Sequence, residues 1–532
     1  MFQFLFKFKR GLIANANVTT IITTIAIFAL SIFQISFSTN NLYAKETTLK
    51  VVLSSTDPTG IQPYSNCFET TSLSIYSQIF DPLIHIDLEG KLAPSLAISW
   101  KQLSPTLWEF NLRKGVKFHN GEDFNGESVK FSFESILNPE NKSSLPFVFN
   151  TIKKVSVDAK DPYKITIETA IPDGMFLYRL AFGAITPPGF IKTNGFDKFR
   201  EKPIGTGPYK FIKWEKGKEI YLTKNTNYWI NGIPKIDHLR FKFIPVEQWI
   251  DAFIKKEVDF IPYLEGRFAQ TIAKNTNGEA RIMKRLSLYS GIMLMRNQGP
   301  LAVKEVRVAI NHAIDRDKII RIGSYGNAIP VAGLGIKGEL GTNEKLIPYA
   351  FDLERAKKLL ASTPHKDGFK LKVLAMNTDM GTIKIIAGML DELKIKMEID
   401  YMSPPEVQAF LLKNNSADKS KFPYDLIYYP MDNPLVDWAF TASWAYMSAS
   451  PFSLLNDKRF DEKYMWALQA DNLEEHEKRL KEVDKFFYDE ALSIFTIQRI
   501  MTGAVQRNVK IFKYPLNAQM AQEVFSEAEF IK

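Results

Sequence analysis

Cysteine is almost absent from these 532 residues: only Cys67 occurs, so no disulfide can form within the chain. Histidine is scarce too. The six are His85, His119, His238, His312, His365 and His476, and none lies within five residues of another. That spacing excludes the two-histidine helical zinc signature. The chain has no G-x-S-x-G nucleophile elbow and no Walker A phosphate loop. No Lys/Arg block offers a phosphate track, so nucleic acid is not an expected partner. Low-complexity tracts and fixed-period repeats are missing. No apolar run of membrane-spanning length follows residue 44.

One local motif survives this search. Gly333, Gly335 and Gly338 match G-x-G-x-x-G. Its context is wrong for a dinucleotide site, because Pro330 interrupts the preceding segment and no apolar helix pattern starts at Gly338. The motif reads as a loop. Cys67, with no nearby histidine in sequence, reads as a small buried hydrophobe.

What is present is ordinary globular composition, with 45% hydrophobic and 24% charged residues. The length calls for two or three domains. The N-terminus differs from the rest. Lys7, Lys9 and Arg10 precede an apolar run from Ile21 to Phe37, and no acid occurs before Glu46. This is the pattern of an export signal over residues 1–44, with cleavage expected after Ala44. The competing reading is an uncleaved anchor. No cysteine stands just after the run, so a soluble periplasmic product is expected rather than a lipid-anchored one. The first 44 residues hold three of the nine net positive charges, which leaves a mild +6 on the rest.

Both structural periods alternate along the remainder. Trp108, Phe110 and Leu112, then Val116 and Phe118, predict a strand pair around Gly115, with a turn at Asn120-Gly121. Ile220 to Thr223 predicts another strand. Val303, Val306, Ile310, Ala313 and Ile314 predict a helix after Pro300, and Asp352 caps a second one carrying Leu353, Ala356, Leu359 and Leu360. Leu473, Leu480, Val483 and Phe487 form one face of a late helix. Its other face carries Glu474–Lys478, Glu475–Arg479 and Glu477–Lys481 at i,i+4. The mixture predicts an α/β or α+β chain.

Longer blocks carry more. LAPSLAISW to SFESILNP (Leu92 to Pro139), PIGTGPYKFIKW (Pro203 to Trp214) and NTNYWINGIPKIDHLRFKFIP (Asn225 to Pro245) come first. KKEVDFIP, MRNQGPLAVKEVRVAINHAIDRDKII (Met295 to Ile320) and YAFDLERAKKLLAS (Tyr349 to Ser362) follow in order. Together these resemble the family 5 extracellular solute-binding proteins, which include periplasmic dipeptide-, oligopeptide- and nickel-binding receptors of ABC importers. Lys256 stands where the family commonly has glycine.

The resemblance implies an α/β, type II periplasmic-binding-protein fold: two lobes with a hinge, plus an extra domain inserted in the first lobe. By position, lobe I takes 45–82, 203–292 and 506–532, the extra domain 83–202, and lobe II 293–505. It implies a monomer without metal or cofactor that binds a peptide or peptide-like solute between the lobes and hands it to an inner-membrane ABC permease. Within the family, a nickel chelate or a saccharide is the alternative ligand. Outside it, the alternatives are an exported hydrolase or a periplasmic chaperone.

The resemblance also nominates site residues. YDLIYYPMDNPLVDWAFTASWAY (Tyr424 to Tyr446) is similar to the second-lobe segment in which peptide binders keep an acid, four residues before a proline, for the peptide's α-amino group. Counting back from Pro434 gives Pro430, so Asp432 becomes the candidate, with Asn433 in place of a neighbouring acid and Asp437 as a substitute. The competing reading makes Asp432 a turn residue in Asp-Asn-Pro. Trp438 and Trp444 are candidate apolar walls, against ordinary core packing. In the loop after the first strand, Tyr64 and Asn66 are candidates. Arg296 and Asn297 stand at the first crossover between lobes, and Gln498 and Arg499 before the last.

Overall fold

The computed structural model describes residues 46–531 apart from 55, 65–69, 265, 415–418, 512 and 516–520. The expected export signal, Asn66 and Cys67 lie outside the described residues. Among those described, no helix is long and apolar enough to cross a membrane.

Most strands join one eleven-stranded sheet. Its first half runs from Tyr209–Glu215 through Glu219–Lys224, His238–Phe243 and Thr48–Ser54 to Phe260–Leu264. Its second half contains Ile395–Met402, Phe369–Met376 and Leu426–Asp432, which lie parallel. Two long strands carry the chain between the halves: Ala280–Met295, the first crossover, and Ile497–Gln506, the second. They pair with each other antiparallel from Ala280↔Gln506 to Leu286↔Ile500, after which the register shifts. Beyond the shift the first crossover takes a new partner, with Tyr289 opposite Asp432. Two strands thus run from one half of the sheet to the other, and the ladder between them breaks between Leu286 and Ser290.

A separate antiparallel sheet of four strands, Ala97–Ser104, Leu107–Leu112, Lys164–Thr169 and Ile152–Val157, forms the core of the inserted region. Here one expectation is corrected. The strand at Trp108 pairs with Ala97–Ser104 and Lys164–Thr169. Val116 to Phe118 contributes only the isolated bridge Lys117↔Asp123. The Asn120-Gly121 turn, with Gly121 at φ 91°, closes that bridge instead of a full hairpin.

We label six helices: α1 Thr70–Ile79, α2 Gly126–Leu137, α3 Lys304–Ala313, α4 Leu353–Ala361, α5 Trp438–Ala445 and α6 Leu473–Asp489. The Asp352 side chain caps α4, accepting from Arg355 N at 2.9 Å. On α6, Leu480, Val483 and Phe487 are fully buried. Arg479 and Lys481 reach Glu475 and Glu477 at i,i+4, but Lys478 pairs with Glu475 rather than Glu474, so Glu475 serves two cations.

Two of the sequence blocks meet on one buried carboxylate. Asp81 accepts from Thr206 Oγ1 at 2.8 Å, Tyr228 Oη at 3.0 Å and Trp229 Nε1 at 2.9 Å. Gln522 Nε2 adds a fourth bond at 2.9 Å. Burial raises the Asp81 pKa, while these donors pull it back down. Gly205 and Gly207 let this segment lie on the end of α1, since a Cβ at Gly205 would stand 2.0 Å from the Ile79 carbonyl oxygen. The PIGTGPY and NYWING blocks are therefore scaffold: they fasten the first lobe, not the solute.

Candidate functional site

In open α/β sheets, ligands bind beyond the carboxyl ends of the strands. In this chain those ends include Leu264 in the first half and Met376 and Asp432 in the second, near the register break of the crossovers. The side chains gathered there are mostly polar.

Arg499, on the second crossover, makes an ion pair with Asp379. Its guanidinium carbon stands 5.0 Å from the centre of the Tyr289 ring. Burial disfavours the cation, but Tyr289, Asp379 and Tyr428 outweigh it and hold the proton more tightly than usual. Burial pushes the Tyr289 hydroxyl up to about 12; Arg499 opposes the shift, and Asp379 and Asp432 add to it. The Tyr263 hydroxyl, beside Ser74 of α1, is also raised by burial and by the Asp432 charge. Asp432, half-buried at the end of its strand, thus acts electrostatically on a tyrosine of each kind: one from the first lobe and one from the first crossover. Both phenols stay protonated at neutral pH. The group offers one carboxylate, several hydroxyl donors and an arginine held by Asp379. It can bind and orient a polar solute.

The residues singled out from the sequence fall into three places. Asp432 and Arg499 come together at this group. Asn433, Asp437 and Trp438 lie behind it. Asn433 is buried and takes the turn role: its Oδ1 accepts from Leu435 N at 3.0 Å, and its Nδ2 donates to the Asp437 carbonyl at 3.1 Å and to Glu339. Asp437 caps α5 and pairs at 2.9 Å with His476, both side chains fully buried. Trp438 is fully buried, and a Cβ at Gly335 would stand 2.7 Å from its Cδ1.

The others stand elsewhere. Tyr64 is packed against Phe196, ring centres 4.5 Å apart, with its hydroxyl 3.3 Å from Thr186. Arg296 is bonded to Asp425 and the Phe422 carbonyl, and Asn297 exchanges hydrogen bonds with the Asn456 backbone. Trp444 is half-buried, edge-on to Tyr429 and Phe452. Gln498 ties the glycine loop to the first crossover, donating at 2.7 Å to both the Ser287 and Lys337 carbonyls.

Sequence reasoning passed over Tyr263, Tyr289 and Asp379. Their signal is positional. Tyr263 and Asp379 sit at or near the end of a sheet strand and Tyr289 at the register shift of the first crossover, which becomes visible only when strands are assigned and ordered.

The G-x-G-x-x-G loop has a local explanation. It cradles an anion, but the anion is the chain's own. Leu334 N and Gly335 N donate to Asp484 Oδ1 at 2.7 and 3.2 Å, and Asn343 N donates to Oδ2 at 3.0 Å. A Cβ at Gly333 would stand 2.3 Å from that carboxylate. Gly333→Ala is therefore expected to destabilise the protein by about 1–3 kcal/mol, the usual cost of overpacking. Gly381→Ala is the control: nothing lies within 4 Å of its added Cβ. Denaturant melts of the two variants check this; equal stability would contradict the cradle.

These features define a class: an α/β binding-protein fold whose large sheet is continued from one half to the other by two crossover strands. The comparisons give the family. Residues 91–450 match the model of the bacterial extracellular solute-binding proteins, family 5, and the chain belongs to that family. It is 24% identical over 474 residues to the glutathione-binding protein GsiB of Salmonella choleraesuis, covering 85% of this chain and 90% of GsiB. The periplasmic binding protein DppA of Helicobacter pylori, solved with the peptide STSA, superposes with a TM-score of 0.76 at 20% identity, over 91% of this chain and 98% of DppA. NikZ of Campylobacter jejuni, solved with Ni(L-His), gives 0.75 at 23% identity, over 91% of this chain and all of NikZ. The fold is thus that of the type II periplasmic binding proteins, with a further domain inserted in the first lobe.

Proposed function

We propose that this chain is the periplasmic receptor of an ABC importer and captures a peptide-like solute between its lobes, without altering it chemically. The lobes are taken as 45–82 with 203–292 and 506–532, and 293–505; residues 83–202 are taken as the extra domain. The observation that carries the reading is the position of Asp432. Its charge acts on Tyr263 in one lobe and on Tyr289 at the hinge. A solute amine or amide placed there touches both lobes at once, and contacts made only in the closed form shift the population toward closure.

Pro430 occupies the place where peptide binders keep the acid for a free α-amine. The proposed solute accordingly either lacks that amine or presents it to Asp432. The matched relatives include proteins named or solved with glutathione, a tetrapeptide and a nickel–histidine complex, and the first two support the peptide-like class.

The test is mass spectrometry of small molecules that co-purify with the protein from its native periplasm. An intact amide-containing solute, released on denaturation and rebound by the stripped protein, is the expected result. A bare sugar, or a substrate returned as fragments, would overturn the reading.

A further inference from the structure

The stretch 83–202, taken above as the extra domain, meets residues of the second lobe at the turn Asp173-Gly174. Gly174 N donates at 2.7 Å to the Leu468 carbonyl, and Gln102 Nε2 donates at 2.6 Å to that of Asp471. Phe147 stacks on Phe440, ring centres 6.3 Å apart. None of these residues belongs to either crossover strand. Gly174 lies against the His476 ring. A Cβ added there would stand 2.3 Å from Cγ and Nδ1, and its three nearest atoms all belong to His476.

The charges beside this contact are arranged so that it can part. Asp173 and Arg179 pair at 3.0 Å within the inserted stretch, and Asp437 and His476 pair at 2.9 Å within the second lobe. All four side chains are buried. Asp173 also accepts from Thr151 Oγ1 at 2.7 Å and from Met175 N at 3.0 Å. His476 Nδ1 faces the Ala467 carbonyl at 2.8 Å while Nε2 faces Asp437, so both nitrogens donate and the ring is a cation. A buried charge that loses its partner is heavily penalised, but here each carboxylate keeps its cation on its own side. Separation therefore hands two neutralised pairs to water and strands neither. The contact also leads to the group around Asp432. The Asp437 carbonyl accepts from Asn433 Nδ2 at 3.1 Å, and Asn433 is the next residue after Asp432.

We propose that Asp173-Gly174 and the Asp437–His476 pair form a latch, which joins the inserted domain to the second lobe when solute is captured and parts when the lobes open. The inference rests on the proposed capture between lobes and gives the inserted domain a share in it. Contacts made only in the closed form favour closure whatever solute is held. Gly174 is the determinant, because any side chain at that position meets the imidazole ring.

The test is residue-resolved hydrogen exchange on the full-length mature protein, as purified with its solute and after the solute is stripped by denaturation and refolding. Protection of the Gly174 amide is expected to fall at least about tenfold on stripping, while that of Met175, whose amide is bonded inside the inserted stretch, stays the same. Gly174→Ala is expected to weaken rebinding of the co-purified solute at least about tenfold, with the melting temperature of the stripped protein within about 2 °C of the parent. Equal protection of Gly174 and Met175 in both forms would make the contact permanent and overturn the latch. Loss of protection at both amides together would reduce it to local fraying of the turn and overturn it too. A Gly174→Ala variant that melts lower but binds as the parent does would have the same consequence. Failure of the capture reading shows separately, as no intact solute in the mass spectrometry. The latch is then judged on the solute-free protein alone, where Gly174 must be at least about tenfold less protected than Met175.

Discussion

Asp432→Ala is expected to lower solute affinity at least about 30-fold while leaving the melting temperature within about 2 °C of the parent. Removing one partner of a desolvated polar contact costs about 2 kcal/mol or more, and 1.4 kcal/mol is tenfold in affinity. Asp432 stands at the end of its strand opposite Tyr289, and its charge acts on both Tyr263 and Tyr289. The fold does not depend on it, because the turn that follows is held by Asn433. Calorimetry with the co-purified solute, paired with a thermal melt, checks both halves. Unchanged affinity would remove Asp432 from the site. A large loss of melting temperature would make it structural.

Stability is expected to fall as pH rises from about 6 to 8.5, and Glu339→Gln should flatten that fall. Two buried groups, Glu339 and His476, drive most of it, and a third, Asp484, acts at the lower edge of the range. Burial pushes Glu339 up to about 8, with Ile336 N and Asn433 opposing and Asp437 and Asp484 adding to the shift. Burial likewise lifts Asp484 to about 6 against three backbone donors. His476 is raised too: burial opposes its charge, but Asp437, at 2.9 Å, outweighs burial.

The sign is the same for all three. Each binds its proton more tightly in the folded state, so folding takes up protons and loses stability as pH climbs through the folded pKa values. One pKa unit is about 1.4 kcal/mol, so Glu339 alone accounts for a few kcal/mol. A fall in melting temperature of at least about 3 °C over the range is the expected reading. A flat or rising profile, or a Glu339→Gln variant with the parent's slope, would contradict it.

This buried network lies directly behind the candidate site. Glu339 bonds Asn433, the neighbour of Asp432, and Asp437 caps α5 just beyond. Loss of a proton in the network therefore loosens the support of the strand end before it affects the solute contacts themselves.

The sequence by itself determined the class of protein. Ordered blocks from Leu92 to Ser362 carried the family resemblance, and residues of two of these blocks, Thr206 and Trp229, meet at Asp81. Local elements were legible too. The Asp352 cap and the apolar face of α6 are set by residues within a few turns of each other.

Only the tertiary structure decided which candidates meet. Asp432 and Arg499 are 67 positions apart and share a site because two crossover strands bring their ends together. Trp438 and Asp437 looked equally suited to a cleft, yet His476 and Gly335 hold them in the core. The glycine motif read as a loop, but that it wraps Asp484, about 150 residues away, was not legible. In each case the partner is remote in the chain. A contact between distant residues leaves no local period or spacing to read, so chemistry that depends on it appears only once the sheet is ordered.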